Sequence, residues 1–72
     1  MTYYFKTELK EKFLEGRTVV YLLNYVDINY PYLTRILNGK IGCSYRVAKQ
    51  IVNAIFPDSK VQDFFYEKKK GI

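Results

Sequence analysis

The chain has 72 residues, 49% of them apolar, and a formal net charge of +5 at pH 7. That size suits one domain around one small core, and no apolar run approaches the ~18 residues of a membrane-spanning helix. With no histidine and one cysteine, Cys43, the chain can form no internal disulfide and offers no zinc set, and it lacks the commonest general base.

An enzyme is therefore not expected, nor is any cofactor or metal. The first residues, Met1 to Glu8, lack the basic start and long apolar stretch of a secretory signal, so a cytoplasmic protein is expected. Lys68, Lys69 and Lys70 supply three of the positive charges, and without them the remainder carries about +2. Such a tail is either simply solvated or adds salt-sensitive affinity for a polyanion.

In chain order, the first predicted helix covers about residues 6 to 15, with Phe5, Leu9 and Phe13 on one face and Gly16 as its stop. Tyr3 and Tyr4 either extend it or form a short strand. The second runs from about Val19 to Val26 behind Thr18 as N-cap, with Leu22, Leu23 and Val26 inward. Its β-branched start leaves a strand conceivable.

The third helix lies between Asn29, a good N-cap, and Gly39, a natural left-handed terminator. Pro31 falls in its first turn, where no intrahelical donor is lost. Leu33, Ile36 and Leu37 form its apolar side, opposite Pro31, Thr34, Arg35 and Asn38. The fourth helix runs from near Ser44 to about Phe56, with Val47, Ala48, Ile51, Val52 and Ile55 at helical period and Pro57 as the stop.

A fifth helix is predicted after Asp58 or Ser59, since Ser59 and Gln62 have capping-box spacing and Val61, Phe64 and Phe65 supply an apolar side. Five short helices with local connections predict an all-α bundle. They form a single domain over residues 1–72, with a core at about 6–66 and a basic tail at 67–72. Phe64, Phe65 and Tyr66 are too many adjacent aromatics for one helix face. Either one is exposed as a dimer contact or they wrap the core with Tyr3, Tyr4 and Phe5.

A short amphipathic helix with a polar outer face, preceded by an apolar segment and a tight turn, is the arrangement of a helix-turn-helix. The order Thr18-Val-Val-Tyr-Leu-Leu, Asp27-Ile28-Asn29, Tyr32-Leu-Thr-Arg-Ile-Leu-Asn-Gly39 and Ala48-Lys-Gln-Ile51 resembles the lambda repressor and Cro-like helix-turn-helix family of phage and bacterial regulators. The resemblance covers about residues 6 to 66. It implies a lambda-repressor-like fold whose third helix enters the major groove of double-stranded DNA. Tyr30 and Pro31 match the family's first exposed recognition positions, and Thr34 and Arg35 the next pair. Asn38 matches a polar position near the DNA backbone, and Thr18 a residue whose helix end faces phosphate. The chain departs from the family at two positions. Val19 stands where glutamine is common, and Asp27 where the turn usually has glycine.

By side-chain chemistry, Arg35 suits guanine O6 and N7, a pairing worth about 1–3 kcal/mol of discrimination. Thr34 suits a thymine methyl or a phosphate, and Tyr30 a sugar, a thymine methyl or a phosphate. Asn38 and Lys40, at the far end of the helix, and Arg46, at the start of the fourth, suit phosphate. The DNA-facing set is thus Thr18, Asn29, Tyr30, Pro31, Thr34, Arg35, Asn38, Lys40 and Arg46, and for each the plain alternative is a solvated or half-buried side chain. The expected function is operator occupancy by a small Cro-like repressor. It would act as a homodimer on a pseudo-palindromic site with recognition helices about 34 Å apart. The alternative is the same scaffold used as a protein-binding module, such as an anti-defence protein, an antirepressor or an antitoxin.

Overall fold

The computed structural model describes residues 2–68, and Met1 and the tail residues 69–72 lie outside them. Four α-helices are present among the described residues: α1 (Lys10–Leu14), α2 (Val19–Leu22), α3 (Tyr30–Leu37) and α4 (Tyr45–Ile55). They are joined by two strands, β1 (Thr2–Phe5) and β2 (Phe65–Lys68), and by 3-10 turns at Thr7–Leu9 and Val61–Asp63. The expectation of an all-α bundle is therefore overturned, because the two ends of the chain form an antiparallel sheet and the fold is mixed α and β.

The sheet pairs Thr2 with Lys68, Tyr3 with Glu67, Tyr4 with Tyr66 and Phe5 with Phe65. Side chains alternate across a strand. Phe5 and Phe65 accordingly face the core at 1% exposure each, while Tyr4 and Tyr66 stack on the other face. On its other edge β1 exchanges two backbone hydrogen bonds with Cys43, at 2.9 and 2.8 Å. β1 is thus the central strand of this end.

No fifth helix forms. Its predicted start is a 3-10 turn, where the Asp63 carboxylate accepts from the Lys60 N–H at 3.0 Å, and Phe65 to Lys68 extend into β2. Aromatic residues fit a pleated surface well. Here all five phenylalanines, Phe5, Phe13, Phe56, Phe64 and Phe65, join in one chain of ring contacts with centroids 4.8–5.7 Å apart. A helix would have turned Phe64 and Phe65 about 100° apart, whereas the strand lets Phe65 meet Phe5 directly. The first predicted helix shortens for a related reason: β1 takes Phe5, and only α1 remains helical after the 3-10 turn.

The centre of the chain follows its local signals closely. The Asn29 side chain accepts from the Tyr32 N–H at 3.0 Å, capping α3. At the other end Gly39 takes φ +74°, with Gly39 N–H bonded to Ile36 O and Lys40 N–H to Arg35 O. This is the paired closure that satisfies the last helical carbonyls. Ser44 Oγ caps α4 through the Val47 N–H at 3.3 Å. Leu33, Ile36 and Leu37 of α3 and Ala48, Ile51 and Val52 of α4 are fully buried, while Ile55 is only half-buried.

α2 is shorter than predicted. After Leu22 the backbone tightens to i→i+3 bonds at Leu23, Asn24 and Tyr25, and Val26 ends buried beyond the helix. Thr18 has the extended backbone of an N-cap, but its side chain makes no capping bond.

Candidate nucleic-acid interface

α3 has an inward side set by Leu33, Ile36 and Leu37. At about 100° per residue, the positions pointing most directly away are Pro31, Arg35 and Asn38. All three are exposed. Tyr30 and Tyr32 flank that line at 48% and 37% exposure. Arg35 enters no ion pair among the described residues, so its five donors face outward uncommitted.

The other predicted contact residues divide into free and engaged groups. Lys40 and Thr18 are exposed. Asn29 is exposed, but its carbonyl oxygen is used as the cap of α3. Asn38 Oδ1 accepts from Lys10 Nζ at 2.6 Å, which brings a cation from α1 to the end of α3. Arg46 bonds Asp27 Oδ2 at 3.2 Å.

Thr34 departs from the prediction. Its hydroxyl oxygen is buried and has no hydrogen-bond partner among the described residues, so it is not a freely exposed reading group. The position explains this, since Thr34 lies one turn before Leu37 and borders the buried side.

The suggested dimer contacts also separate. Phe65 is in the core at 1% exposure and offers no surface to a second copy. Phe64 is half-buried against Phe13 and Phe56. Only Tyr66, at 49% exposure, lies open, stacked on Tyr4 at 5.9 Å. Lys68 places its ammonium 5.5 Å from the Tyr4 ring centroid. Lys69 and Lys70 of the proposed tail fall outside the described residues.

Two features escaped the sequence reading. The first is charge segregation: residues 28–57 contain no Asp or Glu but hold Arg35, Lys40, Arg46 and Lys49. All four cations are exposed, on α3, α4 and the loop between them. A count of net charge over the whole chain averages this away.

The second is a polar junction at the turn before α3. Asp27 Oδ2 accepts from both Arg46 and the Gln50 amide, the latter at 3.1 Å, while the Asp27 N–H donates to Gln50 Oε1 at 3.3 Å. The Gln50 hydrogen bond, and then Arg46, hold the Asp27 carboxyl below its usual range. These three bonds tie the turn to α4 across 19 to 23 residues of sequence, a relation no local spacing reveals.

Cys43 is buried beside β1, and burial pushes its thiol up to about 11. A thiol so held is not a nucleophile at neutral pH. Among the described residues there is no metal-ligating cluster, and no helix is long and apolar enough to cross a membrane.

Comparison with protein-family models, with curated proteins and with solved structures gives no match to this chain.

Proposed function

We propose that this protein is a small sequence-specific DNA-binding regulator that presents α3 to the major groove, in the manner of the helix-turn-helix family its sequence resembles. The observation that carries the reading is the outward line Pro31, Arg35 and Asn38, with Arg35 in no ion pair among the described residues, inside a 30-residue stretch free of acidic side chains. Arg35 would read guanine through two hydrogen bonds. Lys40 and Lys49 would hold phosphates, which position the helix without reading sequence. Such a regulator would act by occupying its operator. Two copies on a pseudo-palindrome would place two α3 helices one turn of duplex apart.

The test is selection of bound duplex from a random pool at two salt concentrations, with Arg35→Ala beside the wild type. The expected result is an enriched, roughly palindromic motif that loses about 1–3 kcal/mol of discrimination at one guanine in the variant. The expected binding weakens steeply with salt.

A protein-binding role for the same scaffold draws support from α2, where Val20 is 57% exposed, and from Tyr25 just beyond it, at 51%. Exposed tyrosine beside apolar surface suits protein interfaces. A folded protein that enriches no sequence and binds no duplex at low salt would replace the DNA reading with this one.

A further inference from the structure

The junction at Asp27 places an anion where the proposed interface needs none. Asp27 is the last acidic residue before the acid-free stretch, and its carboxylate is bonded to Arg46, one of that stretch's four cations. Both side chains are about 70% exposed, at 69% for Arg46 and 70% for Asp27, so the pair is open to exchange with solvent ions. An exposed ion pair of this kind is weak and easily remodelled. A DNA phosphate offers the guanidinium the same bidentate oxygen geometry as a carboxylate.

We propose that Asp27 is a built-in competitor for phosphate. Its carboxylate holds Arg46 and Gln50 against the turn before α3, and duplex binding exchanges that carboxylate for a DNA phosphate on Arg46. The exchange limits non-specific affinity, because one cation of the surface is neutralised internally until DNA displaces its partner. It leaves Arg35, which has no such partner among the described residues, as the group through which sequence is read. This inference rests on the DNA-binding reading above.

The experiment measures binding of the full chain to random-sequence duplex over a series of salt concentrations, for wild type, Asp27→Asn, Arg46→Gln and the double variant. Asparagine keeps an acceptor for Arg46 and Gln50 while removing the charge, and matched thermal melts confirm that each variant is folded. Asp27→Asn is expected to bind about three- to tenfold tighter at low salt with the slope of log K against log salt unchanged, because Arg46 meets a phosphate in both complexes. Arg46→Gln is expected to make the slope shallower by about 0.9, as for one lost phosphate contact. In the Arg46→Gln background Asp27→Asn is expected to give little gain, because the two residues act as a pair.

Equal affinity for Asp27→Asn and wild type, or an Arg46→Gln slope equal to that of wild type, would overturn the inference while leaving the DNA reading intact. A gain that persists without Arg46 would also overturn it, reducing Asp27 to general repulsion. A wild type that binds no duplex at any salt would remove both readings together.

Discussion

The middle of the chain and its two ends are built on different principles. Residues 28–57 form α3 and α4, each opened by a side-chain cap, with a glycine closing α3, and they carry cations alone. The ends form β1 and β2, whose paired residues lie 60 to 66 positions apart in sequence, and they carry charges of both signs. The middle is specified locally, residue by neighbouring residue. The ends are specified non-locally, by each other through Phe5 and Phe65 and by the core ring Phe13 and the backbone of Cys43 that β1 meets. The proposed reading helix thus sits on the locally determined part, and the sheet acts as a clasp closing the core beneath it.

The clasp gives the largest expected effect. Phe65→Ala removes a fully buried ring that contacts Phe5, and truncations of this kind cost about 3–5 kcal/mol. In a domain this small, that is enough to unfold much of the population. Tyr66→Ala, one residue on, removes a half-exposed ring stacked on Tyr4, and is expected to cost about 0.5–1 kcal/mol. Denaturant titration of both variants tests the comparison. Equal losses would mean that the strand's alternation is not what anchors the end.

This division also explains what could be read in advance. Asn29 and Gly39 act within a few residues of themselves, and their roles were legible, as were the start of α4 near Ser44 and most of the buried side of α3 and α4. The strand pairing was not, since Tyr3-Tyr4-Phe5 and Phe64-Phe65-Tyr66 each fit a helix or a strand until the partner is known. The capping-box spacing of Ser59 and Gln62 pointed to a helix, but non-local burial of Phe65 won over it. The outward placement of Arg35 was legible because helical period puts it opposite Leu33 and Leu37. Thr34 was misplaced because it lies at the edge of that face, and the Asp27–Arg46–Gln50 junction was hidden by its long sequence separation.

Two glycines test where the middle meets the ends. At Gly42 an added Cβ would meet the Thr2 methyl, and would lie 3.0 Å from both Tyr3 O and Tyr4 Cε1. Backbone of the central strand cannot yield as a side chain can, so Gly42→Ala is expected to cost about 1–3 kcal/mol through overpacking. Gly16 takes φ +82° with open space around it, so Gly16→Ala carries only the left-handed backbone cost, about 1 kcal/mol. Thermal melts should rank Gly42→Ala below Gly16→Ala. The reverse order would mean that β1 shifts freely and the clasp is looser than its hydrogen bonds to Cys43 imply.

The caps separate local stability from DNA contact with the smallest effects. Asn29→Ala removes the acceptor for the Tyr32 N–H and is expected to cost about 1 kcal/mol. Thr18 occupies the matching position before α2, yet its side chain makes no capping bond, so Thr18→Ala should leave the melting temperature nearly unchanged. That neutrality makes Thr18 informative about binding. If, as the family resemblance implies, the helix end at Thr18 faces phosphate, Thr18→Ala should weaken duplex binding equally across sequences while Arg35→Ala changes which sequence is preferred. Unchanged stability with unchanged binding would remove Thr18 from the contact surface and confine the interface to the capped, acid-free middle of the chain.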